Sequence, residues 1–489
     1  MQSVAIVGAG FSGLCMALQL KRAGRGKFTV FEKAGDIGGT WRDNTYPGCG
    51  CDVPSQLYSY SFEKYTSWSR RYPGQPEILG YLRSLVDKHG LRPHIRLNTE
   101  VTRARYDEGG ARWEVLTADG RREFFDVVVF GVGQLNRPRL PDIPGREEFA
   151  GTAFHSARWD HGHDLTGKRV AVIGNGSSAA QLIAPVARQA GRLEVFQRTP
   201  NWVLPKADAE FHRATRLGLR WLRPLQKAYR SLIYLRAESL LYPALKNGWS
   251  APLVRRMALR HLRQQIDDPR LRAKLTPDYP VGCKRIVIDS TFYPALNRPD
   301  VDVVTERITR ITRTGVETAD GLEHPADTVV YATGFETTRF LAPVEVYGRD
   351  GRLLREEWKD GPEAYLGVAM PNFPNLFFLY GPNTNLGHNS IVLMIECQVG
   401  YVLACLRALS AHCARSGRAG IEIRPEAMAA YRARLERALH DTVWEAGCDS
   451  WYKNAAGRVT NNWPMSTVRY RRLLRTPHPR AFRFTPARA

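Results

Sequence analysis

Short apolar runs followed by glycine-rich turns mark the start of the chain. The first run covers residues 3–8 and leads directly into a turn at 8–13. A continuous apolar run of this length, bounded by a turn, is typical of a strand buried on both faces of a parallel sheet. Apolar positions after the turn repeat at helical spacing, and a second apolar strand at 28–31 ends at Glu32. The pattern therefore predicts a strand–turn–helix–strand unit.

The same pattern recurs further along the chain. Residues 169–173 form the apolar run, 174–179 the turn and 178–190 the helical segment, and the next apolar strand, 193–196, runs to Arg198. A repeated supersecondary unit indicates a repeated fold. The sequence therefore predicts an α/β chain with two Rossmann-like dinucleotide-binding domains.

Two later segments complete this organisation. Residues 207–275 are rich in Leu, Arg and Ala and carry few strand signals, which predicts a helical insertion in the second domain. The apolar run 373–380 predicts another buried strand, and an apolar helix over roughly 390–409 follows a polar turn. We expect this C-terminal segment to return to the first domain.

The composition fits a multidomain protein with reduced cysteines. At 489 residues, 43% of them apolar, the chain exceeds one ordinary core. It has no uninterrupted apolar run of about 18 residues and no basic leader, so we expect a cytoplasmic protein without a transmembrane segment. The eight cysteines are scattered, and Cys49 and Cys51 form an isolated C-x-C, which makes reduced thiols the expectation and a zinc site improbable.

The net charge of +22 raises the question of a nucleic-acid partner. The excess is mostly Arg, spread along the chain and without a nucleic-acid-binding motif, so no such partner is expected. The basic amphipathic stretch 213–241 could touch a membrane surface. A helical subdomain with a solvated basic face is the favoured interpretation.

Both glycine-rich turns have the spacing of a phosphate-binding turn. The first is formed by Gly8, Gly10 and Gly13, and the second by Gly174 and Gly176, with Ser177 following and Ala179 in the third position. Each turn follows a predicted strand and opens a helix, which is the context in which this motif is informative. The glycines allow a pyrophosphate to approach the backbone at the helix N-terminus.

The residue 24 positions after the first glycine distinguishes the two turns. Glu32 is suited to accept hydrogen bonds from ribose hydroxyls, whereas Arg198, with Thr199 beside it, is suited to bind a 2′-phosphate. A surface ion pair remains an alternative for Arg198. We expect FAD in the first domain (1–142 and 331–489) and NADPH in the second (143–206 and 276–330), with 207–275 as the helical insertion.

Several further motifs are similar to those of type I Baeyer–Villiger monooxygenases, which are related to flavin-containing monooxygenases. Residues 149–160 match the pattern F-x-G-x-x-x-H-x-x-x-W-[PD], and they lie in the predicted linker between the two domains. Segments 38–41, 46–55 and 282–285 also resemble the family. The resemblance extends over nearly the whole chain.

The resemblance implies a role for particular residues. It implies that Arg285 stabilises a peroxide anion, that Asp52 holds its guanidinium, and that Lys284 supports the NADPH 2′-phosphate. Trp451 resembles the indole of a loop that closes over NADP⁺, and His155 would couple domain positions without direct chemistry. Further flavin contacts are expected in the first domain from Gly39, Thr40 and Trp41 of the segment 38–41.

The implied activity is a monooxygenase reaction. A small-molecule ketone and O₂ would give an ester or lactone through a C4a-peroxyflavin, in a monomer or weak homodimer. A flavin-containing N- or S-oxygenase of the same fold is an alternative. A pyridine-nucleotide disulfide reductase would need a redox-active cysteine pair, for which Cys49 and Cys51 have poor spacing. A non-catalytic nucleotide-binding module is a further alternative.

Overall fold

The computed structural model describes residues 2–63, 65–445, 447–448 and 450–488, except the side chain of Arg223. Two five-stranded parallel sheets form the centres of two domains. The strands, numbered along the chain, are β1 Val4–Val7, β2 Phe28–Phe31, β3 Ile95–Arg96, β4 Val101–Asp107, β5 Arg112–Thr117, β6 Arg122–Phe125, β7 Val127–Phe130, β8 Thr152–His155, β9 Arg169–Ile173, β10 Arg192–Phe196, β11 Val203–Leu204, β12 Val287–Ile288, β13 Val301–Val304, β14 Ile308–Ile311, β15 Gly315–Thr318, β16 Glu323–Pro325, β17 Thr328–Tyr331, β18 Glu345–Tyr347, β19 Leu376–Phe378, β20 Ala419–Ile423 and β21 Phe482–Pro486.

Helices flank both sheets and fill the insertion. They are α1 Phe11–Arg22, α2 Thr40–Asp43, α3 Gln75–Lys88, α4 Ser177–Ala187, α5 Arg213–Trp221, α6 Arg223–Arg236, α7 Tyr242–Leu245, α8 Ala251–Gln265, α9 Pro269–Lys274, α10 Phe292–Leu296, α11 Leu354–Glu357, α12 Ile391–Ser416, α13 Pro425–His440 and α14 Thr467–Leu473, with a π-helical turn at Ala237–Leu241.

The first sheet has the strand order β19-β7-β1-β2-β3. All four residues of β1 and all four of β7 are buried, because helices or other layers cover both faces of the sheet. β19 pairs with β7 in parallel. The C-terminal part of the chain thus returns to the first sheet as the sequence predicts, although this strand is shorter than the run 373–380.

The second sheet has the strand order β13-β10-β9-β17-β8. β9 and β10 pair in parallel and in register over five residues. Helices α5 to α9 lie in the chain between β11 and β12, which are themselves paired in parallel. The predicted α/β class, with two Rossmann-like domains and a helical insertion in the second, is confirmed.

Residues 149–160, which the sequence places between the two nucleotide-binding units, contain a strand of the second sheet that was not predicted. Thr152–His155 forms β8, which pairs in parallel with β17 at the edge of the second sheet. The strand is short and carries no long apolar run, and its partner lies more than 170 residues away in the chain. Periodicity alone therefore could not reveal it.

The apolar helix α12 is longer than predicted, since it continues to Ser416. By length and composition it could cross a membrane, and 56% of its most apolar 18-residue window is buried inside the protein. It packs against α1, β20 and α14. Such packing is typical of a core helix, and the described residues include no other helix that meets the length and composition test.

The expectation that all cysteines are reduced is wrong for one pair. Cys283 and Cys448 form a disulfide with a Cα–Cα distance of 6.3 Å, although 165 residues separate them in sequence. The other six cysteines are free, including Cys49 and Cys51. The error arose because cysteine spacing carries no information about a contact made by the tertiary fold.

This disulfide gives a direct prediction. Unfolded, non-reduced protein should contain six titratable thiols, and eight after reduction. Reduction, or Cys448→Ser, should lower the free energy of unfolding by about 2–4 kcal/mol, because the unfolded chain gains conformational freedom. Thiol titration and urea unfolding measure both effects, and eight thiols before reduction would contradict the pairing.

Candidate active site and nucleotide-binding sites

The first glycine-rich turn joins β1 to α1 and leaves no space for a side chain at Gly8 or Gly13. A Cβ atom at Gly13 would lie 1.8 Å from the Gly8 carbonyl oxygen, which no packing adjustment can accommodate. The N-cap of α1 is Gly10, and no side chain caps its amide groups. Gly39, at the N-cap of the short helix α2, lies against Gly10. The two loops thus form one backbone cradle that fits a pyrophosphate.

Glu32 lies at the carboxyl end of β2, beside this cradle. Its carboxylate is buried and accepts hydrogen bonds from the Ala9 amide at 2.9 Å and the Ala34 amide at 3.1 Å. Arg42 Nη1 donates at 2.9 Å to Glu32 Oε1, the oxygen that also accepts from the Ala34 amide. Arg42 was not predicted, although it follows the glycine loop in sequence and could have been suspected as a partner of the carboxylate.

Trp41 and Thr40 lie on α2, next to Gly39. The Trp41 ring is buried and its Nε1 donates to the Tyr58 hydroxyl at 3.0 Å. Thr40 Oγ1 donates to the Leu135 carbonyl at 3.4 Å. These contacts fix the loop against the first domain, and Tyr58 is a neighbour that sequence reasoning did not find.

The second glycine-rich turn repeats the first in the second domain. Gly174 has φ +115°, and a Cβ atom there would lie 2.5 Å from the Ala332 carbonyl oxygen. Gly176 caps α4, which begins at Ser177, without a side-chain hydrogen bond, and the space beside Gly176 is open. The uncapped amide groups at this end of α4 fit an anionic ligand.

The structure places the predicted 2′-phosphate residues at the end of β10. Thr199 accepts a hydrogen bond at its Oγ1 from Lys284 Nζ at 2.5 Å, although the two are 85 residues apart in sequence. Lys284 Nζ also lies 4.9 Å from the centroid of the Tyr279 ring. Arg198 precedes Thr199 and is exposed. Two cationic side chains and a hydroxyl therefore share one region of the second domain.

Asp52 and Arg285 form an ion pair between the two domains. Arg285 Nη2 donates to Asp52 Oδ2 at 2.7 Å and its Nε to the same oxygen at 3.3 Å. The side chains are 30% and 16% exposed, respectively. Asp52 raises the pKa of Arg285 further above its ordinary value, so the guanidinium stays charged.

The loop that carries Asp52 is held against α4 of the second domain. The Tyr46 hydroxyl donates to Gln181 Oε1 at 2.9 Å, and Gln181 Nε2 donates to the Gly50 carbonyl at 2.9 Å. Asp52 belongs to the first domain and Arg285 to the second, two residues before the start of β12. The ion pair therefore lies where the two nucleotide-binding domains meet.

Tyr452, which is buried, and Tyr380, which is half-buried, interact with the guanidinium. Burial raises the pKa of Tyr452 to about 12, and the Arg285 cation opposes that rise. Burial also raises the pKa of Tyr380, whose hydroxyl donates to Asn385 Oδ1 at 2.8 Å. Both tyrosines are neutral at physiological pH. Sequence reasoning missed them, and only the position of Tyr452 next to Trp451 pointed to this segment.

Trp451 lies in the segment that the disulfide joins to the Arg285 loop. Its carbonyl accepts a hydrogen bond from Thr337 Oγ1 at 2.8 Å, and its ring is 4.4 Å from that of Tyr452. Cys448 precedes it by three positions, and Cys283 precedes Arg285 by two. The covalent link therefore connects the segment of Trp451 to that of the guanidinium.

His155 lies at the end of β8. Among the described residues, no hydrogen bond or ring contact joins its ring to Asp52, Tyr380 or Tyr452. Its Nδ1 accepts a hydrogen bond from the Ala157 amide at 3.0 Å, and its ring is 5.9 Å from that of Phe335. Burial lowers the pKa of His155 from 6.5 to about 4. The ring is therefore neutral at physiological pH and packs where the second sheet leads back to the first domain.

His155 should make the stability depend on pH. Unfolded protein binds a proton at this histidine below pH 6.5 and folded protein only near pH 4, so stability falls as the pH falls through this interval. The histidine accounts for about 3 kcal/mol of the loss by pH 4, from the size of the pKa difference. Urea unfolding of wild type and His155→Asn, which keeps an acceptor for the Ala157 amide, measures it; parallel curves would contradict the assignment.

Comparison with known proteins identifies close relatives over nearly the full length. The family described as Flavin-binding monooxygenase-like matches residues 1–343. A Baeyer–Villiger monooxygenase from Streptomyces coelicolor is 45% identical over 470 residues, which are 96% of this chain and 90% of the relative. One from Pseudomonas aeruginosa is 43% identical over 488 residues, 99% and 91% of the two chains. The structure of an oxidised steroid monooxygenase bound to NADP covers 99% of both chains, with a TM-score of 0.86 and 33% identity.

Proposed function

Because the chain belongs to the flavin-binding monooxygenase-like family, and within it to the Baeyer–Villiger monooxygenases, we propose that it converts a ketone to an ester or lactone with FAD, NADPH and O₂. The observation that carries the proposal is the Asp52–Arg285 ion pair at the junction of the domains. Family membership establishes a flavin-dependent monooxygenase. Within that class of enzymes, the ion pair favours a carbonyl substrate over an amine or a sulfide.

The first domain has the features that FAD requires. The backbone cradle of Gly8, Gly10 and Gly13 fits the pyrophosphate, and Glu32 offers a carboxylate for ribose hydroxyls. Gly39, against Gly10, extends the cradle. Once bound, the reduced flavin supplies the electrons that activate O₂. The protein's own task is to bind, orient and shield the reactants.

Arg285 supplies the charge that oxygen insertion into a carbonyl requires. Negative charge develops on oxygen when the carbonyl is attacked, and a fixed cation in a water-poor site stabilises it without reorganisation. Asp52 holds the guanidinium in orientation, and burial keeps Tyr452 a neutral neighbour. A lysine at this position could lose its proton on burial, and it lacks the planar set of N–H donors of a guanidinium.

The second domain has the features that NADPH requires. Arg198, Thr199 and Lys284 together would bind the 2′-phosphate that distinguishes NADPH from NADH. The uncapped N-terminus of α4 fits the pyrophosphate. Trp451 would lie over the bound nucleotide, since the disulfide joins its segment to the Arg285 loop. Closure would exclude water from the reactants.

The same fold can also oxidise nitrogen or sulfur, and ester formation separates the two activities. Oxidation of a heteroatom proceeds without negative charge on a carbonyl oxygen, so it does not require the Arg285 cation. Sulfoxidation alone therefore does not discriminate. A disulfide reductase would need a reactive cysteine pair, and Cys49 and Cys51 are free thiols whose pKa values burial raises.

The test is aerobic incubation of purified protein with NADPH and a panel of linear, cyclic, aryl and steroid ketones. The proposal requires that a ketone gain one oxygen atom and that fragmentation identify an ester or lactone. A matched panel of amines and sulfides provides the comparison. Oxidised amines or sulfides without any ester would contradict the proposal and favour the heteroatom oxygenase.

We also propose a cytoplasmic protein that acts as a monomer or weak homodimer. Asp52, Arg285, Thr199 and Lys284 all come from one chain, so the site does not need a second copy. The supply of NADPH in the cytoplasm supports the location, and there the Cys283–Cys448 disulfide must resist reduction. Sedimentation at several protein concentrations measures the oligomeric state.

A further inference from the structure

Helix α6 of the insertion attaches to the protein through its polar face. Gln226 Nε2 donates to Gln56 Oε1 at 3.1 Å, and Arg230 donates to the Gln56 carbonyl. One turn further, the Tyr234 hydroxyl is 2.8 Å from Thr467 Oγ1. These polar side chains lie towards the first domain, where a helix of a globular protein ordinarily places apolar residues.

The opposite face of α6 is apolar and faces solvent. Leu225, Leu232 and Leu235 are 46%, 64% and 59% exposed. Their spacing places them along one side of the helix. The amphipathic pattern of α6 is thus inverted, because leucines face outward and polar groups form the contact with the protein.

Helix α5 extends this apolar surface. It packs against α6, and a Cβ atom at Gly218 of α5 would lie 3.3 Å from the Leu225 side chain of α6. We call the exposed side chains of the two helices and their connection the apolar ridge, which consists of Leu217, Trp221, Leu222, Leu225, Leu232 and Leu235.

The ridge is the main concentration of exposed large apolar side chains. Six of the thirteen such side chains among the described residues belong to it, and Trp249 and Leu253 of the same insertion are two more. Single exposed leucines need no explanation, but a contiguous group marks a surface that binds something apolar.

The charge of the same segment restricts the partner. Residues 213–236 contain seven Lys or Arg and no Asp or Glu. The exposed cationic residues among those described are Arg213, Arg216, Arg220, Lys227 and Arg236. A partner for this segment must therefore be apolar at the ridge and negatively charged around it.

We propose that α5 and α6 bind the surface of an anionic phospholipid membrane. Leucines and a tryptophan would insert at the level of the headgroups while the surrounding Arg and Lys residues bind the negatively charged lipids. A solvated basic face, which the sequence analysis favoured, accounts for the charge but leaves six exposed apolar side chains unexplained. A nucleic acid would likewise leave them without a partner.

Co-sedimentation with phospholipid vesicles tests the proposal. The FAD-loaded full-length protein should bind vesicles that contain phosphatidylglycerol and bind pure phosphatidylcholine vesicles at least about tenfold more weakly, because each Lys or Arg near an anionic surface adds to the binding. Added salt should weaken the binding. Equal binding to both vesicles, or to neither, would overturn the proposal.

Matched variants test the ridge itself. Leu232→Ser together with Leu235→Ser should reduce vesicle binding by about tenfold or more, because less apolar surface enters the headgroup region. Leu322→Ser is the control, since Leu322 lies outside the insertion and is 59% exposed, as Leu235 is. An equal loss in the control, or no loss in the double variant, would overturn the role of the ridge.

Charge variants test the anionic partner. Arg216→Gln together with Lys227→Gln should reduce binding to phosphatidylglycerol vesicles by more than about tenfold, and Arg121→Gln, at a side chain that is 73% exposed, should not. A dimer that dissociates in the double leucine variant, with no vesicle binding in wild type, would assign the ridge to self-association and overturn the proposal. None of these residues belongs to the proposed active site, so the tests are independent of ester formation.

Discussion

Arg285→Ala should abolish ester formation while NADPH oxidation continues. The substitution removes the cation that pairs with Asp52 and is proposed to stabilise charge on the substrate oxygen. The loss of such a preorganised group costs about a hundredfold to a thousandfold in turnover. The electrons then reach O₂ without entering product, so hydrogen peroxide should accumulate in proportion to NADPH consumed. Product analysis and a peroxide assay on the same samples measure both.

A control separates this effect from a general loss of structure. Arg298 forms an ion pair with Asp300 at 2.7 Å, the same distance as in the Arg285 pair, but on the surface of the second domain. Arg298→Ala should leave ester yield unchanged. Arg285→Lys keeps a charge but loses the fork of donors, so an intermediate yield is expected. Normal ester yield from a folded, FAD-loaded Arg285→Ala protein would exclude the proposed role.

Arg198→Ala should raise the KM for NADPH by about tenfold to a hundredfold, the range expected for one lost charge-assisted hydrogen bond. The KM for NADH should change little, because NADH lacks the 2′-phosphate. Lys284→Ala should act in the same direction, since Lys284 Nζ lies beside Thr199. Steady-state NAD(P)H oxidation measures both coenzymes in one assay.

Arg192 offers the matched control for this prediction. It lies at the other end of β10 and pairs with Asp302 on the surface, so Arg192→Ala should leave the KM for both coenzymes unchanged. An equal rise in KM for NADPH and NADH in Arg198→Ala would mean that Arg198 does not bind the 2′-phosphate. Its role would then be structural.

The fold was predictable because the patterns that define it involve residues close together in the sequence. Each nucleotide-binding unit consists of an apolar run, a glycine-rich turn and apolar positions at helical spacing, in that order. Strands β2 and β9 have the bounds that this pattern predicts. The distinction between Glu32 and Arg198 is equally local, since a fixed spacing from the first glycine places each at the end of a strand.

Contacts between distant segments were not predictable in the same way. Asp52 and Arg285 are 233 positions apart, and only the family resemblance suggested that they meet. The Cys283–Cys448 disulfide and the packing of Tyr452 beside Arg285 depend on how the C-terminal segment returns to the site. The inverted orientation of α6 also could not be read from periodicity, because a helical pattern defines two faces but not which one contacts the protein.

The most direct test of the role of Arg285 is the crystal structure of the protein with FAD and NADP⁺ bound. We expect the Arg285 guanidinium to face the flavin ring, still paired with Asp52, while the nucleotide phosphate lies among Arg198, Thr199 and Lys284. A guanidinium directed into bulk solvent, away from the flavin, would contradict it.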